Sequence, residues 1–293
     1  MSSKLKKPKK ISLFDDNRKT RSTGGNAVSL IFTIIICIFM LIPVIYTLNM
    51  AFKPLEELHR YPPTFIAQNP TLNNFTDLFN LLNEAIMPFT RYFFNTICYT
   101  AIIAALRIVT GSLGAYALAK IPFPGSNIMF KMITFSLMFS AVVTATPTYI
   151  IMVKLGMVDT MAGVIVPSIA DTMGFYLIKN FMHTNVPGPL LEAARIDGAS
   201  ELKIFFKIAM PLVKPAWYTL IILSIQGLWG ASANNTYREI FKTLPQALAS
   251  IGGGIERSGI SAASSLLMLI VPFACFLVMQ SKIIDTMSSA GIK

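Results

Sequence analysis

Charge is what this sequence has least of. Of its 293 residues only 13% are Asp, Glu, Lys or Arg, while 54% are hydrophobic. A soluble domain carries roughly a quarter charged residues, so the deficit argues against a soluble fold and for a chain solvated largely by lipid. Cysteine is scarce too: Cys37, Cys98 and Cys275 each fall inside an apolar run, with no spacing that suits a disulfide framework or a metal site. They read as small apolar packing residues. The two histidines lie far apart, so there is no H-E-x-x-H helix, and neither G-x-x-x-x-G-K-[ST] nor G-x-S-x-G occurs. The chain therefore offers no nucleotide cradle, no metal set and no nucleophile elbow, and no catalytic residue is assigned. Active work has to draw on a partner or an ion gradient. No internal repeat and no separate soluble domain is visible.

What the sequence does have is long apolar runs. A bilayer core of about 30 Å needs roughly 20 apolar residues per helix. Six segments qualify: Ala27 to Ala51, Phe93 to Ala119, Ile128 to Val153, Met161 to Met182, Pro211 to Ala231 and Ala262 to Ser281. The fourth is interrupted by Asp171, the fifth by Gln226 and Gly227. The expectation is an all-α membrane protein with six transmembrane helices. If the N-terminus is cytoplasmic, the inside loops and the span ends beside them collect about 17 basic residues and the outside loops about 7, the bias expected of that orientation. Both termini are then cytoplasmic.

The formal charge of +11 comes largely from one place. Eight cations precede Ala27 (Lys4, Lys6, Lys7, Lys9, Lys10, Arg18, Lys19 and Arg21) in a stretch too polar to order itself and too basic for a signal peptide. Residues 1–26 thus read as a basic cytoplasmic tail that anchors topology, and residues 27–293 as the six-span domain. No aromatic-interleaved basic patch supports nucleic-acid binding. The longest outside loop, Phe52 to Tyr92, carries Pro54, Pro62, Pro63, Pro70 and Pro88 and reads as compact rather than as a domain.

Between spans four and five, at about 183–210, lies a polar, helix-prone segment that this topology makes cytoplasmic. Pro187, Gly188 and Pro189 punctuate the end of span four. Leu190 to Ile196 favour helix, with Glu192 placed in the first turn, where the helix dipole favours an anion. Ala193 and Ala194 are small enough for close approach by another protein, and Gly198 suits a sharp helix end. Ser200 is placed to cap a second helix, Glu201 to Ala209, that feeds span five. The sum is a rigid knuckle standing off the membrane.

That segment, Glu192-Ala193-Ala194-Arg195-Ile196-Asp197-Gly198-Ala199-Ser200 followed by Ile208 and Pro211, resembles the EAA loop of the membrane subunits of binding-protein-dependent ATP-binding-cassette importers. The family pattern is Glu-Ala-Ala, three residues, Gly, nine residues, Ile, one residue, Leu-Pro. Here Met210 stands for Leu. Asp197 also matches the sugar-importer version. Further stretches resemble the carbohydrate class, similar to the smaller maltose-type permease: Asn95, Gly114 to Lys120 with Phe123-Pro124-Gly125, Pro147, Leu155-Gly156-Met157-Val158-Asp159-Thr160, Pro272, Gln280 and the closing Ser289 to Lys293. One departure is Trp229-Gly230-Ala231-Ser232-Ala233-Asn234-Asn235, where the family often has Trp-Asn, an aromatic and Pro.

The resemblance implies an importer-type permease fold in a bacterial cytoplasmic membrane. Its coupling helix (Glu192, Ala193, Ala194, Asp197, Gly198) sits in a groove of an ATP-binding subunit, and Gly291 and Lys293 in the tail make a second contact there. ATP and Mg are bound by that partner, so this chain carries no cofactor. The assembly implied is an ATP-binding dimer, a second homologous permease and an extracytoplasmic solute-binding protein. Polar groups in the spans need a reason, since a charge in hydrocarbon costs at least about 2.5 kcal/mol. Arg107 and Asp171 pair, line a path or touch solute, and Gln226, Trp229, Asn234 and Asn235 offer the hydrogen bonds and aromatic face that a sugar wants. A self-sufficient ion-coupled carrier or channel is the alternative; it lacks visible inverted repeats and leaves the knuckle unused. A scaffold or sensor lacks an output module.

Overall fold

The apolar runs fold as helices whose ends are set by proline, serine and a few polar side chains. The computed structural model describes residues 23–290, apart from 59, 62–63, 85, 232–235 and 252–256, and the described residues contain no strand. The helices in chain order are α1 (Thr23–Phe52), α2 (Leu55–Leu58), α3 (Asn73–Glu84), α4 (Phe89–Lys120), α5 (Ser126–Ser136), α6 (Ala141–Lys154), α7 (Met161–Ile169) and α8 (Thr172–Asn185). They continue with α9 (Gly188–Ile196), α10 (Glu201–Ile204), a π-helical turn (Phe205–Ala209), α11 (Met210–Leu212), α12 (Lys214–Trp229), a 3-10 turn (Glu239–Phe241), α13 (Leu244–Ile251) and α14 (Ser258–Ala290).

Three stretches are long and apolar enough to cross a membrane as single helices: Ala27–Phe52, Phe89–Lys120 and Ser258–Ser281. They cover the first, second and sixth expected spans. The other three are bent pairs, α5 with α6 at 109°, α7 with α8 at 40°, and Glu201–Leu212 with α12 at 77°, which makes up to six spans if each pair is one. Each of these pairs lies in one apolar run of the sequence, and each break has a local cause. In the third span the Ser136 hydroxyl donates back to Ile133 O at 2.7 Å, and the next three amides reach only three residues back. Such bonding competes with the α ladder and bends helices. In the fifth, Pro211 has no N–H and its ring crowds the carbonyl four residues earlier. The turn before it widens, with Met210 N reaching Phe205 O, and the chain swings at Val213 before α12 restarts with Pro215 in its first turn. The straight arm of the fifth apolar run, α12, therefore begins at Lys214.

Two apolar clusters mark opposite ends of the bundle. At one, Ala115, Tyr116, Ile178, Met182, Leu191, Ile204, Phe205, Val213 and Leu220 join the C-terminal half of α4 to α8, α9, α10 and α12. At the other, Ala51, Leu78, Leu82, Tyr92, Leu244 and Ala263 join the end of α1 to α3, α4, α13 and α14. Here the loop after α1 is stapled by polar groups, as its prolines suggested. Glu57 accepts from Gln68 N and Asn69 N, which, with the cations Lys53 and Arg60, hold its carboxyl below the usual range. Asn74 donates to Ala51 O at 2.9 Å and Lys53 O at 2.8 Å, satisfying carbonyls that the end of α1 leaves open.

Gly259, at the start of α14, lies against Asn74: an added Cβ would sit 2.6 Å from the amide oxygen. Gly259→Ala is expected to destabilise the protein by about 1–3 kcal/mol, read as a lower unfolding temperature in detergent. An unchanged transition would mean that the Asn74 clamp carries no stability.

Candidate functional site

The knuckle is built as a helix with a left-handed stop. α9 opens with Pro187 as the residue before it and Pro189 in its first turn, where a missing N–H costs nothing. It ends with Ala199 N donating to Ala194 O and Gly198 N to Arg195 O, both at 3.0 Å, with Gly198 at φ +77°. This is a Schellman stop, which needs the conformation that glycine adopts freely. One expectation needs correcting. α9 starts at Gly188, so Glu192 lies beyond the first turn, which holds no acidic residue. Glu192 meets solvent rather than the open N–H groups at the helix start.

One face of α9 is anchored and the other is free. Leu191 is buried in the core cluster, with Ala194 packed against it. Glu192, Ala193, Asp197 and Gly198 are exposed, and Ile196 is 86% exposed. Among the described residues nothing but its chain neighbours comes within 4 Å of where a Gly198 Cβ would be. Ser200 begins the second helix as expected, its hydroxyl accepting from Lys203 N at 3.4 Å.

Glu201 ties the knuckle to the bundle. Its carboxylate takes Arg195 Nε at 2.6 Å on one oxygen and the Tyr116 hydroxyl at 2.8 Å on the other. The carboxylate raises the affinity of the Arg195 guanidinium for its proton still further. Tyr116 packs edge-on against Phe205, and Lys120, one turn on, donates to Val186 O at 2.6 Å at the end of α8. Tyr116, Lys120 and Glu201 were not singled out from sequence as site residues, although the first two lie in the Gly114-to-Lys120 stretch. Met210, the departure from the pattern, is buried in the same cluster.

Arg107 and Asp171 meet, and both serve the break between α7 and α8. Arg107 Nη1 lies 3.7 Å from Asp171 Oδ2, and Arg107 Nε donates to Ser168 O at 2.7 Å in the last turn of α7. Asp171 is the N-cap of α8, its other oxygen accepting from Gly174 N at 3.0 Å. A cation thus sits at the carbonyl end of one helix and an anion at the N–H end of the next, as the helix dipoles favour. A cleft of about 490 Å³ opens beside them, lined also by Thr110, Gly111, Thr172 and Phe175.

The remaining polar candidates do not gather in that cleft. Gln226 is exposed on α12, on a face with Leu223, Gly227 and Gly230 at helical spacing. Trp229 is only 3% exposed and packs edge-to-face on Phe93, its ring centroid 6.1 Å away, so it offers no free aromatic face to a sugar. It borders a separate apolar cleft of about 470 Å³ between α4, α12 and α14. Asn234, Asn235, Gly291 and Lys293 lie outside the described residues. Among the described residues no group of three or more His, Cys, Asp or Glu is placed to hold a metal ion.

Residues 108–281 match the family described as binding-protein-dependent transport system inner membrane component. The chain is 33% identical over 211 residues to the melibiose/raffinose/stachyose import permease protein of Bacillus subtilis, covering 69% of this chain and 75% of the relative. To the arabinooligosaccharides transport system permease protein of the same organism it is 28% identical, over 90% of this chain and 94% of the relative. Its fold is similar to a chain of a bacterial ABC transporter involved in import of the acidic polysaccharide alginate, with a TM-score of 0.72 at 21% identity, covering 89% of this chain and 98% of that one.

The capping geometry separates two roles of Asp171. Asn keeps an oxygen for Gly174 N but removes the charge facing Arg107; Ala removes both. Asp171→Ala is expected to cost about 1 kcal/mol more than Asp171→Asn, measured by unfolding in detergent. Equal losses would show that the cap contributes nothing and that the ion pair alone matters.

Proposed function

The chain belongs to the family of binding-protein-dependent transport system inner membrane components, and from that membership we propose that it forms one transmembrane half of an ATP-driven saccharide importer. It is a multi-pass membrane protein. In this reading α1, α4 and α14 and the three bent pairs make six spans, with both termini and α9 on the cytoplasmic side. Residues 1–26 are the basic tail and 27–293 the permease domain. Its partners are an ATP-binding subunit dimer that holds ATP and Mg, a second homologous permease and an extracytoplasmic solute-binding protein. This chain is a transport subunit, and hydrolysis occurs in the ATP-binding partner.

The observation that carries the reading is the knuckle: a short helix with one face locked to the bundle through Leu191 and Glu201 and the other left bare. Exposed Ala193, Ile196 and Gly198 form an apolar, small-residue surface outside the apolar spans, of the kind that marks a protein contact. Closure of the ATP-binding dimer would move α9, and the Glu201 link would pass that motion to α4 and to α12 through the bend at Val213. Alternating access follows if nucleotide binds one of the two bundle arrangements better than the other. Glu192, Ala193, Ala194, Asp197 and Gly198 are the coupling residues, with Gly291 and Lys293 a second contact. Arg107, Asp171 and Gln226 border the path, with Asn234 and Asn235 toward its outer side. Trp229, boxed in by Phe93, supports a wall of the path rather than stacking on solute.

Gly198→Asp tests this directly. Asp tolerates the left-handed conformation better than most residues, and this chain leaves room for the side chain. The variant is expected to reach the membrane at normal abundance yet lose saccharide uptake by about tenfold or more, about 1.4 kcal/mol of coupling. Uptake at the normal rate would contradict a partner seated on this turn.

A further inference from the structure

Lys120 is the last residue of α4, and its ammonium goes to backbone rather than to a carboxylate. Nζ donates to Val186 O at 2.6 Å and to His183 O at 3.3 Å. Among the described residues no acidic side chain forms an ion pair with it. Both carbonyls belong to the end of α8, where a helix has no donors of its own left to offer and its dipole favours a cation. Val186 is the C-cap of α8 and is 1% exposed, and Pro187 and α9 follow it directly. Lys120 therefore holds the residue from which the knuckle leaves the bundle. Tyr116 holds the other root. It lies one turn earlier on the same face of α4, and its hydroxyl donates to Glu201, where the knuckle returns. Entry and return are thus fastened within about 6 Å along one helix, with Leu191 buried in the same cluster as Tyr116 and Val186.

α4 is also tied to the other end of α8. Arg107, about 20 Å back along α4, faces Asp171, the N-cap of α8, and holds Ser168 O. The two helices run in the same direction, so α4 supplies one cation at each end of α8. Both are unbroken over this length, α4 from Phe89 to Lys120 and α8 from Thr172 to Asn185. The route from the knuckle through α12 instead crosses a 77° bend. A displacement of α9 can therefore reach the cleft beside Arg107 and Asp171 through α4 and α8 without passing a hinge, provided that the two stay locked at the knuckle.

We propose, resting on the importer reading above, that Lys120 is a positioning residue for transport. With Tyr116 it makes a two-point clamp that joins both roots of the knuckle to α4, so that α4 and α8 carry the displacement of α9 to the cleft as one body. The ammonium suits the task, because one group meets two carbonyls with charge-assisted bonds. Without it the end of α8 loses its hold on α4, and α9 shifts against α4 while the cleft stays still. Nucleotide-driven closure of the partner then no longer moves the path.

The test uses the full chain with the subunits that copurify from its own membrane. Cys37, Cys98 and Cys275 are replaced, and Thr110→Cys, on the α4 wall of the cleft, carries an environment-sensitive fluorophore. ATP with vanadate traps nucleotide in the closed partner, and the shift in emission reads whether closure reaches the cleft. Lys120→Met keeps an unbranched stem and loses the donors; it is expected to trap nucleotide yet reduce the emission shift about tenfold. Tyr116→Phe, which loses one bond, is expected to reduce it about threefold. Lys120→Arg, still a cation with several donors, is expected to recover most of the shift. A full shift in Lys120→Met, or no shift in the otherwise unaltered chain once nucleotide is trapped, would overturn the proposal. So would a loss that Lys120→Arg does not restore. If Lys120→Met does not assemble, Tyr116→Phe decides by the same criterion. Copurification without any ATP-binding chain defeats the importer reading itself, and that outcome is seen before any clamp variant is compared.

Discussion

The carboxylate of Glu201 is where the exposed knuckle and the apolar bundle meet. One of its oxygens holds Arg195 at the end of α9, and the other takes the Tyr116 hydroxyl from α4. Without that junction α9 would be held mainly by Leu191 and its neighbours, and a push on it could tilt the helix rather than move the spans. With it, α9, the turn at Gly198 and the helix leading to α12 share one frame. The Schellman stop fixes the angle between the two arms, and the π-helical turn before Pro211 sets where the second arm bends into α12.

A second constraint comes from lipid. Backbone groups cannot be left open in hydrocarbon, so every interruption of a span must bring its own partners. The break at Ala170-Asp171 shows how: Asp171 serves the N–H end, and Arg107 serves a carbonyl of the other end while balancing the charge. Both ionisable residues thereby gain a structural reason to sit within the spans, independent of any contact with solute. Asp171 still borders an open cleft, so holding the break and bordering a path are compatible in one side chain.

Much of this was legible in the sequence, and what was not has definite causes. Long apolar runs named the all-helical membrane fold and the three uninterrupted spans, because apolar length is a strong one-dimensional signal. The Gly198 turn and the Ser200 cap were legible because their chemistry is local. Hydropathy could not reveal that the third and fifth spans are bent by 109° and 77°, since Ser136 and Pro211 act through backbone geometry within runs that stay apolar. Nor does the sequence around Trp229 show that Phe93, 136 positions away, packs edge-to-face against its ring. Tyr116 and Glu201 likewise stand 85 residues apart, and the carboxylate they share with Arg195 forms only once α4 and α10 pack together.

The most direct measurement is native mass spectrometry of the protein released gently from its own membrane. The account requires a particle holding this chain, a second permease and two ATP-binding chains, with any retained small mass falling in the saccharide range. A particle of this chain alone, moving solute down an ion gradient once reconstituted, would contradict it.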